Sequence, residues 1–218
     1  MSAFGYRKPA DLPQTLPLFP LDGVIMLPRG AISLNVFEPR YLNMVDDALG
    51  GERLIGIIQP LELDRGDAPQ LSSVGTAGRI TGFSETDDGR YLIALTGICR
   101  FEFERELSAG APYRQALVSY ERFAHDFTAE HGAAIDRTAL MFALRSYAAR
   151  HGFEVDWRSV DQAPIETVVN VAAQLCPFDT ASKQALLEAM TLEDRTRALL
   201  ALLEWDKVAD NDRNRPLQ

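Results

Sequence analysis

Side chains spaced for chemistry are few in this sequence. The densest group is His125, Asp126, Glu130 and His131, whose imidazoles and carboxylates are donor types for a metal or a general base. No HExxH is present, and HxxEH fails because Phe127 stands where its first histidine would be. No cysteine lies beside the group, so a solvated linker is the expected reading and metal binding the lesser one. Ser182-Lys183 is the one adjacent Ser–Lys pair, and its polar turn near a helix start suits capping better than nucleophilic attack. The acid pairs Asp46-Asp47, Asp87-Asp88 and Glu193-Asp194 fall on a helix's polar face, in a hairpin turn and at a helix start. None of them needs a general acid or base to explain it. Walker A, GxGxxG and GxSxG motifs are absent, and Gly75-x-x-Gly78 lies inside a strand pattern, where a bulge or close backbone approach is expected. Cys99 and Cys176 sit among apolar neighbours without a CxxC partner, as reduced, buried thiols do. His151 before Gly152 fits favourable charge at a helix C-terminus. These residues predict no catalytic group, no metal and no cofactor.

What remains is apolar and aromatic. Phe4, Tyr6, Phe19, Phe37 and Tyr41 cluster in a proline-rich N-terminal stretch. They either clamp that stretch onto the body of the protein or form a patch that faces a peptide. Where Phe37, Glu38, Arg40 and Tyr41 meet the start of a helix, aromatic and charged groups project together, and they are the candidate protein-binding residues.

The elements that position these residues change period once. Six of the 12 prolines fall within the first 39 residues, giving an extended lead-in with edge strands and turns. Residues 31–37 alternate as a strand. Pro39 opens a short helix with a Leu42, Val45, Leu49 stripe, and Gly50-Gly51 ends it. Strands are expected at 54–58, 73–83, 91–96 and 113–120, with a hairpin turn at 86–89. Cys99, Phe101 and Phe103 alternate with Arg100, Glu102 and Glu104. Short strands at this spacing, with glycines for bends, predict a compact barrel. After about Phe123 the period is helical. Leu140, Leu144, Tyr147 and His151 share one stripe, and Gly152 closes that helix. A second helix runs from Pro164 to Pro177 with a wide apolar face of Ile165, Val168, Val169, Ala172, Leu175 and Cys176. Asp179 or Thr180 caps a third, and Thr191 with Asp194 resembles the capping box of a last helix. The chain is therefore α+β, with an expected lead-in at 1–15, a strand subdomain at 16–122, a helical subdomain at 123–209 and a flexible tail at 210–218.

Composition narrows the function classes. The 218 residues are 46% hydrophobic and 24% charged, which excludes disorder as the main description. No run is long and apolar enough to span a membrane, and the N-terminus lacks a signal peptide's apolar core, so a cytoplasmic location is expected. The net charge of −9, spread over both halves of the chain, opposes nucleic-acid binding.

In order and spacing, residues 16–49 (from LPLFPLDG to MVDDAL), RLIGII at 53–58, residues 74–107 and residues 183–204 resemble the amino-terminal substrate-binding domain of Lon-type ATP-dependent proteases. The FEPRY segment at 37–41 is more similar to free-standing bacterial members of that family. The resemblance implies a PUA-like β-barrel with one short helix, followed by a helical bundle. It also implies that unfolded or degradation-prone client proteins are partners, with a Lon-type protease as a further one; it sets no oligomeric state. With the chain ending at Gln218, it implies a recognition module lacking the family protease's ATPase and Ser–Lys proteolytic parts. Two other readings stay open: a small-molecule sensor or unrecognised enzyme holding its ligand between barrel and helices, and PUA-like RNA binding.

Overall fold

A computed structural model describes residues 3–61, 69–108 and 110–213. Six strands and six α-helices are described: β1 Thr15–Pro20, β2 Ala31–Val36, α1 Pro39–Gly50, β3 Leu54–Pro60, β4 Leu71–Glu85, β5 Tyr91–Leu107, β6 Gln115–Ser119, α2 Arg137–His151, α3 Trp157–Gln162, α4 Ile165–Leu175, α5 Thr180–Glu188 and α6 Leu192–Arg213. They divide into two compact units. One holds the described residues of Met1–Ala129 and Phe178–Leu187, the other those of Glu130–Pro177 and Glu188–Gln218. The strand-to-helix division thus falls seven residues later than position 122, and most of α5 belongs with the strands.

In the strand unit the sheet order is β2-β5-β4-β3-β1-β6, and β6 also pairs with β5. β1 runs parallel to β3, and the other pairings are antiparallel. The expected bulge in β4 lies between Ala77 and Gly78, where the register with β5 shifts. Close approach explains the glycines: a β-carbon on Gly75 would lie 2.6 Å from the Ile57 carbonyl oxygen, and one on Gly97 would lie 2.2 Å from that of Leu27. α1 begins at Pro39, as its fixed φ favours. It buries Tyr41, Met44, Val45 and Ala48, so the stripe is centred on Met44 and leaves Leu42 and Leu49 only partly covered.

The alternation read in β5 fails at one position. Arg100 is fully buried, as are its neighbours Cys99 and Phe101. Both faces of β5 are covered at that point, so a two-residue period no longer separates core from solvent. Asp126 answers Arg100 with a two-pronged contact: Oδ2 accepts from Nε at 2.9 Å, and Oδ1 from NH2 at 2.8 Å. The Leu187 carbonyl accepts from NH1 at 3.0 Å, and His125 Nε2 lies 3.0 Å from NH2. Residues 121–127 are therefore a 3-10 segment that supplies a buried counter-ion, not a solvated linker. α5 is tied to the same unit by Lys183 Nζ donating to the Gly23 carbonyl at 2.8 Å, Gln59 Nε2 to the Thr180 carbonyl at 3.1 Å and Gln184 Nε2 to the Val74 carbonyl at 3.1 Å.

The helical unit is built from well-capped helices. The Asp136 side chain accepts from the Ala139 N–H, and Gly152 closes α2 at φ 68°, in the left-handed region. Asp156 caps α3, a short helix the sequence reading did not anticipate. At the start of α6 the Asp194 N–H donates to Thr191 Oγ1 at 3.1 Å, as expected of that pair, and the Leu192 N–H donates to the Glu130 carboxylate at 2.8 Å. α2 and α4 both pack on α6 around Leu140, Val169, Ala173, Leu199 and Leu203. Buried Arg195 donates to Asn170 Oδ1 at 3.0 Å. α6 continues to Arg213 into the expected tail, and 214–218 lie outside the described residues.

Candidate functional site

The strongest candidate lies within the helical unit: an apolar groove of about 640 Å³ between α2, α3, α4 and the segment joining α2 to α3. Its floor is built by residues that helical spacing places on inward faces, namely Leu144, Tyr147 and Ala148 from α2 and Val168, Ala172 and Cys176 at α4. Its rim comes from Phe153, Val155, Val171 and Leu175, all exposed, with Leu175 at 74%. α4 explains the rim. Its apolar face is too wide for the α6 contact to cover, so Val171 and Leu175 are left at the edge.

Two aromatic arrangements stiffen the walls. The Arg145 guanidinium sits 4.5 Å over the Trp157 ring while donating to both carboxylate oxygens of Asp161. Tyr147, His151 and Phe153 form a three-ring cluster, with centroids 4.3 Å apart for Tyr147 and His151, 5.7 Å for His151 and Phe153 and 6.1 Å for Tyr147 and Phe153. Burial pushes the Tyr147 phenol up to about 12, so it remains a neutral donor. His151 Nε2 lies 2.9 Å from Asp206, which also accepts from Arg150 at 3.1 Å. Burial raises the Asp206 carboxyl, but the His151 and Arg150 contacts outweigh it and hold the group below the usual carboxylate range. Glu154 is the one charged residue in the groove lining.

The sequence-predicted site lies elsewhere, at the start of α1 in the strand unit. Phe37 is 61% exposed, and the Arg90 guanidinium sits 5.8 Å from its ring centroid. Arg40 pairs with Glu38 at 2.8 Å. Tyr41 does not project outward with them: its ring is buried against Phe19, with centroids 4.2 Å apart. Burial raises its phenol, partly offset by Arg40. Arg40 and Tyr41 help line a more polar hollow of about 510 Å³ with Glu106, Tyr113 and Arg114. The Arg114 guanidinium there is already held by Glu106 at 2.6 and 2.8 Å. Of the N-terminal aromatics, Tyr6, Phe19 and Tyr41 are buried, while Phe4 and Phe37 are exposed. Tyr6 accepts from Arg79 at 3.0 Å, and the same guanidinium lies 5.4 Å from the Phe4 centroid, which is the clamping arrangement.

The remaining sequence candidates have structural partners. Ser182 Oγ donates to Asp179 at 3.0 Å and its N–H to the same carboxylate at 2.6 Å, so Asp179 is the cap, and Lys183 is occupied by the Gly23 carbonyl. Burial pushes the Cys99 thiol far up, and it donates to the Arg100 carbonyl at 3.2 Å. Among the described residues no three His, Cys, Asp or Glu side chains could hold a metal together. None of the described helices is long and apolar enough to cross a membrane. Sequence reasoning missed Phe153, Val155 and Trp157 as site residues. Their signal was the alternation of Phe153, Val155 and Trp157 with Glu154 and Asp156 between Gly152 and Pro164, which no predicted element absorbed.

The family profile of the ATP-dependent protease La (LON) substrate-binding domain matches residues 15–204. Lon protease 2 of Myxococcus xanthus is 27% identical over 214 residues, 93% of this chain and 25% of that protein. Lon protease 2 of Sorangium cellulosum is 25% identical over 202 residues, 89% of this chain and 25% of its own length. The chain thus spans about a quarter of these relatives. The crystal structure of a Lon N-terminal domain protein from Xanthomonas campestris superposes with a TM-score of 0.61 at 26% identity, covering 88% of this chain and 98% of that one. The N-terminal domain of the Mycobacterium avium complex Lon protease shares the fold at 17% identity, with a TM-score of 0.62 over 87% of this chain and 98% of its own. With its profile match running from β1 into α6, the chain belongs to the Lon substrate-binding domain family.

Proposed function

We propose that this protein is a polypeptide-recognition module that holds unfolded or degradation-prone clients and performs no bond chemistry of its own. The observation that carries this reading is the groove between α2, α3 and α4, whose exposed apolar rim stands open with a buried apolar floor beneath it. The Ser182, Lys183 and Cys99 side chains, which a hydrolase would need free, are held by structural partners. Delivery of clients to a Lon-type protease in the cytoplasm is the role such binding would serve. The exposed Phe37, with Glu38 and Arg40, is a second and weaker contact, for which buried Tyr41 is the floor. We read the strand unit as a PUA-like barrel, a reading supported by β6 pairing with both β1 and β5.

Trp157 lines the groove, so its fluorescence is a direct probe. A permanently unfolded client, such as a reduced and carboxymethylated protein, should shift that signal with micromolar or tighter affinity, while the native form of the same client should not. Equal binding of both forms, or of neither, would remove the proposal.

A further inference from the structure

The groove is lined mainly by apolar side chains, with Ser159 and Thr167 as neutral polar members and Glu154 as the one charge, and the charges around it are unevenly satisfied. Arg145 is taken by Asp161 and the Trp157 ring. Arg137 donates to the Val160 and Asp161 carbonyls at 2.9 Å each. Arg150 and His151 share Asp206. The exposed Glu154 carboxylate makes no hydrogen bond or ion pair with any described residue, and no basic side chain lines the groove. An unanswered carboxylate beside an apolar surface complements a ligand with apolar side chains and one cation. We infer that the groove selects apolar peptide segments flanked by a lysine or arginine, whose charge Glu154 receives. This selectivity rests on the groove being the polypeptide-binding surface proposed above. A second copy of the chain fits less well, because it would bring another unpaired Glu154 and another −9 net charge to the contact.

The test uses three matched labelled peptides with the same apolar core and flanks of lysine, glutamine or glutamate, titrated by anisotropy into the full chain. The lysine form should bind about three-fold tighter than the glutamine form and about ten-fold tighter than the glutamate form, as one exposed charge pair allows. Those ratios should shrink between 50 and 500 mM salt. E154Q should level the three affinities, and E154K should reverse their order. L175S, at an exposed rim position, should weaken all three alike by several-fold. Equal affinities in the wild type, or an order unchanged by E154K, would overturn the charge selectivity while leaving polypeptide recognition intact. Failure of all three peptides to bind would overturn both. Affinities unmoved by L175S would place binding outside the groove, and dimerisation abolished by L175S in sedimentation runs would make a second copy the occupant; either result overturns the inference.

Discussion

Both units of this chain bury an arginine, Arg100 among the strands and Arg195 among the helices, but they differ in where they leave a continuous apolar groove open. The strand unit buries a full charge at Arg100 and surrounds it with Asp126, the Leu187 carbonyl and His125. The helical unit has ample apolar surface and leaves part of it uncovered at Val155, Val171 and Leu175. A buried ion pair gives a unit one arrangement, because any slip strands a charge in a low-dielectric interior. An open apolar rim favours contact with something else. Under the function proposed above, the difference separates a framework from a binding surface within one chain.

Arg100→Met should break that contrast most severely. It leaves Asp126 buried without its partner, which costs about 3–5 kcal/mol. Far-UV circular dichroism should record the loss in denaturant. Both tryptophans, Trp157 and Trp205, lie in the helical unit, so their fluorescence follows that unit alone. The comparison holds if the tryptophan transition stays put while the strand signal moves, and R100M/D126L recovers at least half of the loss. Identical shifts of both signals would show the two units unfolding as one.

Gly97→Ala is the next largest. Its β-carbon would meet the Leu27 backbone, which cannot rotate away as a side chain can, and a cost of about 1–3 kcal/mol follows. Gly50→Ala is the control: nothing lies within 4 Å, and alanine at the end of α1 should be neutral or stabilising by up to about 1 kcal/mol. Equal losses from both would mean that close packing is not what requires glycine at position 97.

Much of this was legible beforehand for a physical reason. Helix caps and breakers act within a few residues, so Pro39, Gly152, Asp179 and the Thr191–Asp194 pair could be read from spacing alone. Arg100 could not, because its burial depends on Asp126 and Leu187, which lie 26 and 87 positions away. Nothing local distinguishes it from Glu102 or Glu104. The candidate site divides similarly. Exposed Phe37 and the Glu38–Arg40 pair lie where local reading put them, while Tyr41 is drawn into the core by its helix phase. The groove was invisible because its walls come from three helices, one of them only six residues long.

On the helical side, V171S/L175S should sharpen the contrast. Both positions are exposed, so stability should stay within about 0.5 kcal/mol. Affinity for an unfolded client should fall about ten-fold, the effect of losing roughly 1.4 kcal/mol of apolar contact. Phe37→Ala should weaken the same binding about two-fold or less. A larger loss from F37A than from the groove pair would move the principal contact to the strand unit.

The smallest effect concerns acid. Asp206 is held below the usual carboxylate range because the contacts with His151 and Arg150 outweigh the burial that would raise it. A carboxylate depressed in the folded state binds protons more readily when unfolded. Its stabilisation is therefore fully present above the unfolded value, near 3.9, and is lost as pH falls through the lower folded value. Arg150 keeps its charge across that range, so Asp206 is the member of this pair that changes. With the Asp206 side chain 31% exposed, solvent screening limits the contribution to under about 1 kcal/mol. Asp206→Asn should lower helical-unit stability slightly at neutral pH and reduce its further loss between about pH 4 and pH 2. The signal of Trp205, one residue away, follows that loss. If the wild type and D206N lose helical-unit stability in parallel on acidification, the α2–α6 ion pair is not what makes this half of the molecule sensitive to acid.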